Sequence, residues 1–452
     1  MKRALILVAA LSFFITALTG SAETLRLTLE QAVALGLKNS GSIDSAQLEN
    51  RVAEEGVRSA RASYYPGVSV SAAYTHIFKE IKTDDMSLNG ITIPGSYQSS
   101  QDPVTVSADV TQTITTFGKL KNAMQLAEEQ VKLSMLDYQE AQRSLTVNIK
   151  RGFYGYLLAL AVLEVQEQTM ACKEDALGTT LERYDSGLIP DYEVLRVESD
   201  LESFKSDLID AENSVKYARL AVMDLLGIDR EEDGFELELI GSLEEDYADL
   251  DRKDLVERAL SNNHAIGLSR QALKLQDVQN ELKRAQKRPT IAGFAGYEIS
   301  SGFDTATGQA RYWGEDAWDG DLSAGIAVQV PISSLFPWSG ENARVKAGEL
   351  EAGKAGVDLD ELASGVTLAI DNGLLTIEKQ KSKIESGKKA VELAESLYSS
   401  SRERYDSGLI TSLDLQNAQL ALNSAQLKYL QAVYGYKTAI FDLMDTAGLE
   451  DL

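Results

Sequence analysis

Arg183-Tyr184-Asp185-Ser186-Gly187-Leu188-Ile189 recurs, residue for residue, as Arg404-Tyr405-Asp406-Ser407-Gly408-Leu409-Ile410. The offset of 221 residues also relates Met223-Asp224 to Met444-Asp445 and Gly227 to Gly448. An offset of 223 relates Asn39 to Asn262, Pro66 to Pro289 and Tyr74 to Tyr297. Seven identities in register with further matches mark a duplicated unit of about 220 residues, far too long for a solenoid repeat. The two copies are one architecture written twice.

Each copy carries the same patterns in the same order. A helical stretch comes first, Leu29 to Tyr65 and then Lys253 to Lys287, closed by Pro66 or Pro289. Two alternating segments follow, separated by a polar loop. A very long amphipathic stretch then runs to the repeated turn, Gly118–Asp185 in copy one and Glu341–Asp406 in copy two, and a shorter helix (Asp191–Leu226 in copy one) returns. Its stripe reads Met124, Ala127, Val131, Met135, Tyr138, Leu145, Ile149, Phe153, Tyr156 and Leu160, at steps that suit one helix face. At about 1.5 Å per residue such a helix is about 100 Å long, a length that coiled coils use and globular domains rarely do. Two short helices end to end would match one long helix, which predicts planks that assemble into a tube. The plain alternative is a solid bundle or rod.

The alternating segments bear on where the chain resides. Val68, Val70, Ala72 and Tyr74 are interleaved with Ser69, Ser71, Ala73 and Thr75; Val104, Val106, Ala108 and Val110 with Thr105, Ser107, Asp109 and Thr111. Copy two repeats the pattern at Ile291, Ala295, Tyr297 and Ile299 and again at Leu322, Ala324, Ile326, Val328 and Val330. Period two with small polar residues on one face fits a strand between lipid and water, or equally a soluble hairpin with one buried face. The loops Lys79–Asp102 and Ser300–Gly320 are long and polar; Tyr312, Trp313 and Trp318 suit a lipid–water boundary or a loop contact. Four strands cannot close around water, since about eight only just leave an interior, so spanning strands must be pooled: eight in a dimer, twelve in a trimer.

Composition narrows the function. Lys2 and Arg3, an apolar run Ala4–Leu18 and the small residues Gly20 and Ala22 read as a secretory signal cut after Ala22. Its removal takes the net charge from −25 to −27, which argues against nucleic acid as a partner. The single cysteine, Cys172, permits no internal disulfide. With His76 and His264 as the only histidines, no metal spacing, catalytic triad or phosphate loop stands out. The reading is therefore no enzyme, no cofactor and no metal. The expected organisation is a signal at 1–22, a first repeat at 23–228 with a hairpin at 66–116, an acidic connection at 229–251, and a second repeat at 252–452 with a hairpin at 290–332. The connection is expected as a small belt outside the helices.

The repeated turn has a simple local reading, in which Gly187 and Gly408 stop a helix in the left-handed conformation. That covers the glycines but not the identity of the flanking residues. A shared docking tip would cover both, with Tyr184, Gly187 and Leu188 in one copy and Tyr405, Gly408 and Leu409 in the other.

The ordered, duplicated set resembles the TolC-like outer-membrane efflux protein family over essentially the whole mature chain. Leu27-Thr28-Leu29-Glu30-Gln31-Ala32-Val33 is similar to that family's opening signature, Phe117-Gly118-Lys119-Leu120 to its strand-to-helix passage, and Tyr184–Leu195 and Tyr405–Leu415 to its periplasmic turns. The resemblance implies a mainly α fold with a small membrane β-barrel: a homotrimer whose α-helical tunnel is topped by twelve strands, four per chain. It implies outer-membrane lipid around the barrel and a periplasmic adaptor and an inner-membrane pump at the tips, serving efflux or type I secretion. It places acidic aperture residues at Asp414 and at its counterpart Glu193. Where relatives carry a basic gate residue this chain has Ile189 and Ile410, so a closing network must differ. The competing expectation is a non-conducting periplasmic coiled-coil scaffold.

Overall fold

A computed structural model of the chain describes residues 24–76, 86–88, 91–93, 103–228, 236–301, 311–314 and 317–449. The signal segment and most of the two long polar loops lie outside the described residues. The chain forms two compact units, a strand-bearing one from residues 47–137 and 265–362 and a helical one from residues 1–46, 138–264 and 363–452.

The strand-bearing unit holds one antiparallel sheet, built from β2 (Gly67–Tyr74), β5 (Val104–Thr115), β7 (Thr290–Ser301) and β8 (Trp318–Gln329), in the order β2-β5-β7-β8. A short hairpin, β3 (Met86–Leu88) with β4 (Ile91–Ile93), lies in the connection between β2 and β5. Register decides the chemistry of the large sheet. Val70 pairs with Ala108, Ala108 with Tyr297 and Tyr297 with Leu322; Val68, Val110, Ala295 and Ala324 form the next such row. Since side chains alternate, these rows gather every apolar alternation onto one face. Ser69, Ser71, Ser107, Asp109, Glu298, Asp319, Asp321 and Ser323 fall on the other face. The two copies thus contribute to one amphipathic sheet instead of two separate hairpins. Among the described residues its outer strands, β2 and β8, each have a neighbour on one side only.

Helices dominate the other described residues. α3 (Lys119–Asp185) and α7 (Gly340–Asp406) are unbroken for 67 residues each, and α4 (Asp191–Leu225) and α8 (Ser412–Ala447) return from their turns. The first helical stretch of each copy is divided where the pattern predicts continuity. α1 (Leu29–Asn39) is followed by α2 (Gly41–Ala62), and α5 (Arg252–Asn262) by α6 (His264–Ala285). Ser40 and Asn263, 223 residues apart, take extended ψ values of 124° and 127° while their N–H groups still close the preceding turn. The hydrophobic period carries across both breaks, which is why the sequence hides them.

The same offsets are explained in the helical unit. Gly227 and Gly448 follow α4 and α8 with φ of 65° and 71°, and a Cβ on either would come within 2.5 Å of a carbonyl oxygen, of Asn39 and Asn262 respectively. Each copy therefore seats the end of its last helix on the end of its first, and only glycine satisfies both the angle and the approach. Beside this seat Ile149, Phe153, Tyr156, Val222, Leu226 and Leu237 form the main core. Leu237 belongs to β6 (Glu236–Leu239), in the acidic connection, which pairs in parallel with β1 (Thr24–Leu27). Beyond β6 the connection is strapped to α7 and α8. The Tyr436 hydroxyl accepts the Ala248 N–H at 3.0 Å, the Tyr429 hydroxyl donates to Glu245 at 2.6 Å, and Lys381 lies over the rings of Tyr247 and Tyr436.

In the strand-bearing unit α3 carries a buried acid, Glu129, off its apolar stripe. Burial pushes the Glu129 carboxyl up, but hydrogen bonds from Lys132, Gln271 and Lys274 outweigh it and hold the group at about 2. Lowered from an ordinary 4.5, this carboxylate stabilises the link between α3 and α6 above pH 4.5 and loses that contribution as pH falls toward 2. Glu129→Gln should destabilise by roughly 1–3 kcal/mol at pH 7, and thermal unfolding followed at pH 7, 4 and 3 should show the gap to wild type closing. Gly448→Ala should cost roughly 1–3 kcal/mol through strain and the carbonyl clash, with Gly41→Ala, where a Cβ meets nothing, as the neutral control in the same melt.

Candidate functional site

The repeated turns lie side by side in the helical unit. At each, the glycine N–H donates to the tyrosine carbonyl and the following leucine N–H to the arginine carbonyl: Gly187 to Tyr184 at 2.8 Å and Leu188 to Arg183 at 2.9 Å, with Gly408 to Tyr405 and Leu409 to Arg404 both at 2.9 Å. With φ of 72° and 73° at the glycines these are twin Schellman motifs. The leucine after such a glycine commonly folds back onto its helix; here Leu188 and Leu409 each stand 74 % exposed.

Beyond the backbone the copies diverge. Tyr184 is 44 % exposed, whereas Tyr405 is 3 % exposed. The Tyr405 hydroxyl shares a 2.6 Å hydrogen bond with Thr180, and the Arg183 guanidinium lies 4.5 Å from its ring centre while donating to its carbonyl. The expectation that Tyr405 offers a docking surface is thereby corrected. The two identical turns meet different surroundings, and this tyrosine is consumed as the packing partner of the first copy's Thr180 and Arg183. Arg404, the counterpart of Arg183, stays exposed.

The acidic pair diverges for a local reason. Thr411 caps α8, accepting the Asp414 N–H at 3.3 Å, while its own N–H and hydroxyl donate to the Asp414 carboxylate at 3.0 and 2.8 Å. These bonds from the Thr411 hydroxyl and N–H, with the Arg196 charge added, hold the Asp414 carboxyl below the usual range. In copy one the cap is Pro190, which has no side-chain hydrogen bond to give, so Glu193 is free to turn elsewhere. It takes Arg196 at 2.8 Å and the Ser412 hydroxyl at 2.5 Å, tying α4 to the start of α8. Asp414 is exposed and Glu193 half-buried.

Further polar ties complete a cross-linked end. Arg402 on α7 reaches Asp175 on α3 at 2.5 Å and Asp406 at 3.1 Å, Gln416 on α8 donates to Asp200 on α4, and Lys173 on α3 pairs with the same Asp200. Arg183, Arg196, Arg402 and Asp200 were not singled out by sequence. Arg183 belongs to the repeated motif and could have been found there. The others lie in ordinary solvated helix patterns, and only packing brings them together. Among the described residues no group of His, Cys, Asp and Glu is arranged to hold a metal ion, and no helix is long and apolar enough to cross a membrane.

An amphipathic sheet with open edges, joined to unbroken 67-residue helices and paired turns, is the subunit architecture of an outer-membrane channel. The family model described as outer membrane efflux protein matches residues 33–228 and again 255–449, one match per repeat, and the chain belongs to that family. It is an outer-membrane protein with a periplasmic helical body. Outer membrane efflux protein BepC of Brucella suis biovar 1 is 21 % identical over 434 residues, covering 96 % of this chain and 88 % of the relative. Outer membrane protein TolC of Escherichia coli K12 is 24 % identical over 390 residues, covering 84 % and 74 %. The crystal structure of the Campylobacter jejuni CmeC outer membrane channel shares the fold with a TM-score of 0.74 at 17 % identity, covering 93 % of this chain and 85 % of that one.

Arg183→Ala should free Tyr405 and speed amide hydrogen exchange at 176–186 and 402–408 several-fold, while the core helix around Ile149 stays protected. Asp414→Asn should raise exchange at 412–416 alone. The wild-type cap should loosen in the same way as pH falls below the ordinary aspartate range, because the depressed carboxyl supports the cap only while ionised.

Proposed function

We propose that the chain is one third of a homotrimeric, passive exit duct through the outer membrane, working with a periplasmic adaptor and an inner-membrane pump in efflux or type I secretion. The open-edged amphipathic sheet carries this reading. In hydrocarbon every backbone N–H and C=O must be paired, so β2 of one chain has to meet β8 of another until the ring closes. Three chains give twelve strands, enough to leave a water-filled interior. The apolar rows then face lipid and the polar rows face the duct. The work is done by the pump, and the duct needs no catalysis.

In this reading Leu188, Leu409 and Tyr184 form the adaptor's contact surface, held in place by Gly187 and Gly408, and Glu193 and Asp414 lie near the aperture. Opening separates the helix pairs, so the ties through Arg183, Arg196 and Arg402 resist it. The strands carry Asp109, Glu298, Asp319 and Asp321 and no basic residue, all four on the face assigned to the duct. That potential favours cations.

Detergent-extracted protein should have the mass of three chains and give conductance steps in planar lipid, with a reversal potential on the cation side under a salt gradient. Neutralising Asp109, Glu298 and Asp321 together should move that potential toward zero, and Arg183→Ala with Arg196→Ala should raise the mean conductance several-fold. A monomer that stays soluble without detergent and never conducts would refute the duct in favour of a periplasmic spacer.

A further inference from the structure

The two strand-to-helix passages differ in length. Three residues, 116–118, join β5 to α3, whereas ten, 330–339, join β8 to α7. The ten read Val-Pro-Ile-Ser-Ser-Leu-Phe-Pro-Trp-Ser and include a 3-10 turn at Ile332–Leu335. This extra chain has its polar backbone turned inward. The buried Ser334 hydroxyl donates to the Pro331 carbonyl at 2.6 Å, Asn342 donates to the carbonyls of Phe336 at 2.6 Å and Ser334 at 3.3 Å, and the Ser339 hydroxyl accepts the Asn342 N–H at 3.2 Å. Lys287 in turn donates to the Asn342 side chain.

Its apolar side chains are turned outward. Ile332, Leu335 and Trp338 are 61, 71 and 80 % exposed, and the Phe336 and Trp338 rings stack at 4.9 Å. Satisfied carbonyls inside and bare hydrocarbon outside invert what a water-facing loop does, and match what a bilayer boundary requires. Position agrees. The passage continues from Ile326 and Val328 on the apolar face of β8, and exposed Tyr64, Tyr65 and Phe117 flank the same end of the sheet. At the other end β8 begins with Trp318. Twelve residues at about 3.3 Å cover about 40 Å, which at a strand tilt of about 40° is about 30 Å of depth, so the two aromatic ends sit a bilayer core apart.

We propose that residues 330–339 form a membrane-interface anchor that lays Ile332, Leu335, Phe336 and Trp338 into the headgroup–acyl boundary of the periplasmic leaflet. The occupant is phospholipid, continuous with the lipid already covering the apolar strand face. Only the second repeat carries the device, so each chain has one. The anchor requires the outer-membrane location but not a conducting duct.

The test uses full-length mature protein with Trp313→Phe and Trp318→Phe, leaving Trp338 as the sole indole, reconstituted into phosphatidylcholine vesicles. Trp338 emission should be blue-shifted, quenched at least twofold by lipid brominated near the headgroup end of the acyl chain, less by lipid brominated near the methyl end, and little by aqueous acrylamide. Acrylamide quenching without bromolipid quenching would place the loop in water; protection from both would place it against another chain. Either result overturns the anchor. A nitroxide on Trp338→Cys in a Cys172→Ser background, read by oxygen against nickel accessibility, answers the same question if the indole variant assembles poorly. Conductance of the same preparations reports separately on the duct, so failure of the anchor and failure of the duct are distinguishable.

Discussion

Two strand edges set the terms for this protein. β2 and β8 are each paired on one side, and the sheet between them has one face of Val, Ala, Leu and Tyr. In water such an edge invites aggregation; in lipid its unpaired backbone groups cost several kcal/mol each. Placed in hydrocarbon, both edges need partners, and in the proposed duct copies of the same chain supply them. In that reading backbone hydrogen bonding calls for the assembly before any side chain is considered, and closure of the ring would make the interior.

The helical unit solves a different problem with the same duplicated sequence. The seat of its helix ends is built twice on one plan, with Gly227 on Asn39 and Gly448 on Asn262. At the turns the symmetry ends, because the two copies pack against each other there in unlike surroundings. Tyr405 goes in and Tyr184 stays out; Asp414 caps its helix and Glu193 crosses to its neighbour. Polar ties there add to the burial of Tyr405 and Leu415. Charged and hydrogen-bonded pairs at a surface exchange readily with water, and ties of that kind can be released without dismantling a core.

Much of this was legible beforehand. The long helices announced themselves through sustained periodicity and the strands through strict alternation, since both signals depend only on neighbours along the chain. The breaks at Ser40 and Asn263 were not, because the apolar period runs through them and their cause is the seat of each helix end on a distant glycine. Nor was the pairing of β1 with β6, four-residue strands more than 200 residues apart. At the turns, sequence drew attention to the repeated residues but gave both tyrosines one role, and it passed over Arg196, Arg402 and Asp200, whose partners lie on other helices.

By itself the sequence determined the duplication, the order of elements and the two-faced strands, all consequences of local periodicity and composition. Tertiary structure decided which strands are neighbours, that four of them form a single sheet with two open edges, and which of two identical tyrosines is buried. Those outcomes depend on contacts between residues far apart in the chain, where identical local sequences meet different surroundings.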